Sequence, residues 1–222
     1  STTLNKKITW VYLLDDVHNS SFIRGGELII TTGLITKSSQ KLDHLINEAY
    51  IKGACGAIIN TGMYIKNVPS RIIEFGEENN FPIFSMPWET HIADIMQEYC
   101  NEIISEQKIA SLKNNVFLRS ILHSSSSEDK QILSQFIGFR IAASKMPLNI
   151  LYFAKVELDN IYYYICSAKS IHTADHSIGL SNQIESIDSI HQYYIQAYKA
   201  LKVSIIKRQN MFYFSDIGLY DI

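Results

Sequence analysis

The sequence predicts an α/β protein in two parts. An N-terminal, largely parallel sheet flanked by helices leads through a long connecting helix to a smaller α+β domain with a partly antiparallel sheet. Three observations carry that expectation. Four short apolar runs lie in the first part, at Ile8 to Leu14, Glu27 to Thr32, Ala54 to Asn60 and Phe81 to Met86, with helical patterns between the later ones. Thr90 through Leu122 then holds neither proline nor glycine. Beyond the serines at 124–127, two strand-like stretches, Asn149 to Glu157 and Ile161 to Cys166, meet at Asp159–Asn160.

The early runs are rich in branched side chains, as strands covered on both faces require. Leu28–Ile29–Ile30 is continuous rather than alternating, which favours a buried parallel strand. From Gln40 to Ile51, Leu42, Leu45, Ile46, Ala49 and Tyr50 repeat at helical spacing. Ser38 or Ser39 can cap that helix, and Gly53 can end it. A shorter helix is predicted over Ser70 to Glu78, with Pro69 at its start and Gly76 weakening its end.

In the glycine-free stretch, Met96, Ile103, Ala110 and Phe117 stand seven apart, while Glu106 and Lys113 interrupt the neighbouring stripe of Ile92 and Tyr99. The pattern suits either a long helix packed on its own domain or a connector that also touches a second subunit. About 33 residues at about 1.5 Å each reach roughly 50 Å, which favours the connector. The expected division is therefore an α/β domain over 1–90, a helix over 91–123 and an α+β domain over 124–222. In the last, Ile132, Leu133, Phe136 and Ile137 mark a helix, Ile178 and Leu180 a third strand, Ile187 to Ile205 a second helix, and Met211 to Phe214 a final strand. Asp216 to Tyr220 reads as a short turn or helical piece.

At 222 residues and 46% hydrophobic composition the chain can bury a real core, and its 10 Phe, 13 Tyr and 2 Trp exclude wholesale disorder. Lys and Arg number 20 against 22 Asp and Glu, a net charge of 20 − 22 = −2, which argues against a basic nucleic-acid footprint spread along the chain. Cys55, Cys100 and Cys166 form no CxxC pair, so a reduced intracellular setting is expected. The opening STTLNKKITW has no apolar signal-peptide stretch, and no membrane-spanning run follows. A cytoplasmic protein is the expectation.

In an open parallel sheet, ligands sit beyond the carboxyl ends of the strands. Three such ends carry small or polar groups: Thr31–Thr32–Gly33, Asn60–Thr61–Gly62, and Met86–Pro87–Trp88–Glu89 with His91 close behind. Hydroxyls, an amide and glycine N–H groups can hold a compact polar ligand. Trp88 can cover a planar face or act as a packing anchor, and Glu89 can accept from ring nitrogens. The same residue types are also ordinary turn formers. Asp15–Asp16 ends the first run and can meet a ligand, although adjacent side chains there are expected to diverge.

Other chemistry finds little support. Arg24–Gly25–Gly26–Glu27 precedes a strand, the wrong place to cradle phosphate, and neither GxGxxG nor GxxxxGK[ST] occurs. Arg24 and Glu27 are expected to pair, if at all, at the strand's start. His172 and His176 are four apart beside Asp175, but no third ligand is placed, so no metal or other cofactor is expected. No nucleophile stands in a recognisable catalytic setting.

The run Gly25–Gly26–Glu27–Leu28–Ile29–Ile30–Thr31–Thr32–Gly33, with Thr9–Trp10–Val11, Gly62, Pro69 and Asn80–Phe81–Pro82–Ile83–Phe84–Ser85–Met86–Pro87, resembles the sensory domain of PucR-type transcriptional regulators over roughly residues 8 to 122. Separately, Ser177–Ile178–Gly179–Leu180–Ser181, Ser186–Ile187, the Tyr193-to-Leu201 stretch and Phe212 to Tyr220 resemble the middle domain of PucR and sugar-diacid regulators. That domain is distantly similar to diguanylate cyclase folds, but the cyclase motif is missing from the second region, so cyclase activity is not implied.

The resemblance implies transcriptional control of purine or related nitrogen catabolism through a small-molecule effector. It also implies a helix-turn-helix domain that this chain, ending at Ile222, is expected to lack. Among residues, it carries only Gly25, Gly26, Glu27, Thr31, Thr32 and Gly33. The expectation is a non-enzymatic, ligand-sensing regulatory portion acting as a homodimer, with DNA reached only through the absent domain. The alternatives are a protein-binding scaffold, or a hydrolase or lyase using Glu89 and His91.

Overall fold

The computed structural model describes residues 6–34, 39–171 and 175–219. The chain divides into two compact units, Ser1–Glu106 and Gln107–Ile222.

The first unit is built on β1 (Trp10–Leu13), β2 (Glu27–Thr31), β3 (Gly56–Thr61) and β4 (Ile83–Pro87), all parallel and in the spatial order of the chain. A 3₁₀ turn at Val17–Phe22 links β1 to β2, α1 (Ser39–Ile51) links β2 to β3, and α2 (Ser70–Glu78) links β3 to β4. When each new strand is added on the same side, right-handed crossovers put every connection on one face of the sheet. The core shows this: Ile29, Ala57 and Ile59 pack with Leu42, Leu45 and Ile46 of α1 and Ile72 of α2. The opposite face must then be covered by chain that follows the last strand. The amino-terminal half of α3 (Ile92–Ile121) does so, laying Ile92, Ile95, Met96, Cys100 and Ile103 over Val11, Leu28, Ile30, Ile58 and Met86.

The amino ends of the strands are interlocked. Glu27 is buried, and its carboxylate accepts hydrogen bonds from the backbone N–H groups of Arg24 (2.9 Å) and Gly25 (2.8 Å). The pairing expected of Arg24 and Glu27 thus runs through Arg24's backbone, because the tight turn before β2 brings its N–H, not its guanidinium, onto the acid. Gly26 has φ +86°, and a Cβ there would sit 2.8 Å from the Thr9 side chain. Its N–H donates to the Gly53 carbonyl (2.8 Å), while the Cys55 N–H donates to that of Glu27 (2.7 Å). Burial pushes the Cys55 thiol above its ordinary pKa.

The second unit holds a mixed sheet of β5 (Arg140–Ser144), β6 (Ala154–Leu158), β7 (Ile161–Cys166), β8 (Ile178–Leu180) and β9 (Met211–Tyr213), in the order β6-β7-β5-β8-β9. Only β8 and β9 pair in parallel, joined through α5 (Ile190–Lys207), as a parallel pair needs a long crossover. Asp159 (φ 51°) and Asn160 (φ 59°) make the β6–β7 hairpin, the two left-handed residues of a type I′ turn. Val116, Phe117 and Ile121 of α3 share a core with Ile190, Ala197 and Leu201 of α5.

Two expectations fail here. The predicted strand from Asn149 begins only at Ala154: the Phe153 N–H still donates to the Ile165 carbonyl (2.8 Å), but β7 ends one residue later at Cys166 and leaves 149–152 without a partner strand. Leu151, Tyr152 and Phe153 are exposed instead. Conversely β5, the central strand, falls in a stretch where no strand is expected. Between β7 and β8 the described residues hold only a 3₁₀ turn at Ala168–Ser170. His172 lies outside them, as does Ser38, one of the two expected caps of α1.

Past α3, a short α4 (Asp129–Leu133) is held by Asp129, which is 4% exposed. Arg119 donates Nε to its Oδ2 (2.9 Å) and Nη2 to its Oδ1, and the Ser126 N–H also donates to Oδ2 (2.9 Å). Arg119 first, and then Ser126, lower the Asp129 pKa to about 2. A depressed carboxyl stabilises the fold above its unfolded pKa, and that contribution is lost as pH falls through the folded value. Urea unfolding is therefore expected to show Asp129→Asn less stable than the native chain at pH 7. That gap closes between about pH 4 and pH 2.

Gly179 in β8 lies against α5 so closely that a Cβ would stand 2.0 Å from the Leu201 nitrogen and 2.4 Å from the Ala197 oxygen. Backbone cannot yield as a side chain does. Gly179→Ala is expected to cost about 3 kcal/mol or more in urea unfolding, or to prevent folding of the second unit.

Candidate functional site

Four parallel neighbours bring their carboxyl ends to one edge of the first unit. The pairs Leu13–Ile30, Ile30–Ile58 and Asn60–Met86 differ by 17, 28 and 26 positions. Carrying the same offsets one pleat on aligns Asp15 with Thr32, then Asn60, then Met86, in a row across the sheet. By strand alternation from Ile30 and Ile58, Thr32 and Asn60 belong to the α3 side.

Asp15 organises this edge. Its Oδ1 accepts from the Thr31 hydroxyl (2.9 Å) and the Thr32 N–H (2.7 Å), and its Oδ2 from the Thr32 hydroxyl (2.7 Å). The Thr31 oxygen accepts in turn from the Gly33 N–H (3.3 Å), and the Thr32 oxygen from that of Leu34 (3.2 Å). Asp16 turns away, as expected of its neighbour. It caps the 3₁₀ turn at the His18 N–H (2.9 Å), which with the His18 ring lowers its pKa. The sequence offers Asp15 only as a candidate ligand contact, not as one of the expected site residues. Its place beside two threonines follows from the 17-residue offset between β1 and β2, which only the strand pairing reveals.

The third and fourth ends are tied together as well. Asn60 is 1% exposed, and its Nδ2 donates to the Pro87 carbonyl (3.1 Å). Its Oδ1 is buried without a hydrogen-bond partner among the described residues. Thr61 donates its hydroxyl to the Met86 carbonyl (3.3 Å). Gly62 (φ +130°) donates its N–H to Ile65 (2.7 Å), and a Cβ on it would meet the Trp88 Cβ at 2.9 Å. Trp88 packs edge-on against Tyr64, with centroids 5.3 Å apart, and both remain partly exposed. Glu89 is exposed beyond the strand, and His91 offers its carbonyl to the N–H groups of Asp94 and Ile95 in the first turn of α3.

The geometry thus brings Thr31, Thr32 and Gly33 together around Asp15, and Asn60, Thr61 and Gly62 against β4 with Trp88. The hydroxyls of Thr31, Thr32 and Thr61 are spent on internal acceptors. What stays unmatched is acceptor capacity: both lone pairs of the buried Asn60 Oδ1 and the remaining ones of Asp15. No group of three or more potential metal ligands occurs among the described residues. Nor is any helix there long and apolar enough to cross a membrane.

With this arrangement in view, the comparisons with known proteins bear directly on the first unit. The profile of the Purine catabolism regulatory protein-like family (PucR) matches residues 1–103. The purine catabolism regulatory protein of Bacillus subtilis (strain 168) is 27% identical over 100 residues, covering 45% of this chain and 19% of the relative. The chain thus spans about a fifth of that relative's length. No solved structure matches the chain. The PucR-type resemblance is borne out over this span, and a regulatory role is the reading both names support.

Because Asp15 accepts three hydrogen bonds, its loss strands two threonine hydroxyls and the Thr32 N–H. Asp15→Ala is expected to destabilise the first unit by about 2–3 kcal/mol in urea unfolding, whereas Glu89→Gln, on an exposed side chain, changes stability by under about 0.5 kcal/mol.

Proposed function

We propose that this chain is the ligand-sensing regulatory portion of a PucR-type transcriptional regulator, binding a small purine-related or otherwise nitrogen-rich metabolite at the carboxyl ends of β1 to β4. The observation that supports this is the Asn60 carbonyl oxygen, buried and unpartnered in the row shared with Asp15 and Thr32. A buried acceptor left unmatched costs about 1–3 kcal/mol, which a ligand N–H would recover. A site whose open groups are acceptors selects for donors, and nitrogen-rich rings and ureides carry several. Trp88 and Glu89 stand beside it as a ring surface and a further acceptor.

The mechanism is biased geometry. The effector stabilises one arrangement of the first unit, and α3, which runs from the face of that sheet into the core of the second unit, carries the preference onward. The second unit acts as the middle domain of such regulators, without catalysis, and DNA is contacted through a helix-turn-helix domain outside this chain. The effector must favour one arrangement over the other, since equal affinity shifts nothing. The protein works in the cytoplasm as a homodimer, matching the paired half-sites of an operator. A scaffold that binds another protein is the second reading, favoured by the exposed Tyr99, Ile104, Ile109 and Leu112 along α3.

Calorimetry of the chain against purines, ureides and unrelated small acids tests the proposal. A purine or ureide is expected to bind, and Asn60→Ala and Thr32→Val are each expected to weaken it by about tenfold or more, a change of about 1.4 kcal/mol. Binding that survives both substitutions places the site elsewhere. Silence across the panel favours the scaffold.

A further inference from the structure

The two faces of the first sheet are not packed alike. Ile29, Ala57 and Ile59, under α1 and α2, are 0% exposed; under α3, Ile30 and Val11 are buried as fully, but Leu28, Ile58 and Met86 keep 5–7%. The difference has a location. Between the sheet and α3 lies a hollow of about 390 Å³, floored by Leu28, Ile58 and Met86 and walled by Ile95 and the rings of Phe84 and Tyr99. Its remaining lining residues are Ile8, Ser85 and Thr90, so no ionisable group other than the Tyr99 phenol borders it.

We infer that this hollow is a second binding site, for a flat, uncharged and largely apolar ring compound, which shares only Met86 with the row at the strand ends. Its size suits that class: an apolar cavity of about 150 Å³ already holds a benzene ring, and ligand pockets run from about 300 Å³ upward. Its chemistry excludes others. A charged ligand would be desolvated with no counter-charge, and a strongly polar one would leave donors unmatched against Leu28, Ile58 and Met86. The hydroxyl residues Ser85, Thr90 and Tyr99 suffice to orient one polar substituent. A ring seated there lies between the sheet and Ile95 and Tyr99 of α3, so occupancy acts on the same helix that the strand-end ligand is proposed to bias.

Indole is a suitable probe, followed through the ¹³C-labelled methyl groups of isoleucine and methionine in the full chain. Saturable shifts are expected at Ile58, Ile95 and Met86. Ile8→Trp, which fills the hollow from a residue outside the strands, is expected to weaken indole by about tenfold or more at an unchanged unfolding midpoint. Tyr99→Ala, at a partly exposed position where folding is not at risk, is expected to do the same by removing a wall. Shifts that do not saturate, or an indole affinity unchanged in Tyr99→Ala, overturn the assignment. So does a chain whose self-association is abolished by Tyr99→Ala while indole fails to bind, because a second copy then covers the hollow.

Discussion

The organisation of the first unit depends on one constraint: four neighbouring strands hydrogen-bonded in parallel and added in chain order. Parallel pairing sends every carboxyl end to one edge and every amino end to the other. Addition in order loads the crossovers onto one face, leaving the other for whatever follows β4. From this follow the row of Asp15, Thr32, Asn60 and Met86, the position of α3, and the hollow beneath it. No single side chain sets them. Reversing one strand would scatter them all.

The two edges divide the work. At the amino edge, Glu27 accepts backbone N–H groups and Gly26 lets the chain pass against Thr9, beside a hollow of about 520 Å³ that Trp10, Phe22 and Arg24 help to line. The glycines and acid that anchor the PucR-type resemblance therefore hold the fold. At the carboxyl edge Asp15 gathers the threonines, yet the Asn60 oxygen is left unmatched. A resemblance carried by Gly25 to Gly33 spans both edges, so its residues divide between them: Gly25, Gly26 and Glu27 shape the amino edge, and Thr31 and Thr32 bond Asp15 at the carboxyl edge.

Much of this was legible in the sequence. The Ser70–Glu78 helix, the four parallel strands and the Asp159–Asn160 hairpin follow from apolar spacing and turn chemistry acting locally. The central strand β5 was not legible, because Arg140–Ser144 has only one branched apolar residue, Ile141, among small ones, and its strand character comes from β7 and β8 on either side. Asn149–Tyr152 misled for the converse reason: apolar letters with no strand to pair with. The strand ends could be nominated as a site from topology alone. That Asp15 belongs among them requires the register between β1 and β2, a long-range quantity that no local pattern carries.

The central claim is that the carboxyl edge, not the amino edge, recognises a small molecule. Amide chemical-shift mapping of the intact chain against the purine and ureide panel tests it most directly. The account predicts saturable shifts centred on Thr32, Gly33 and Asn60 to Gly62. Shifts centred instead on Gly25, Gly26 and Gly53, at the far end of the same strands, would contradict it.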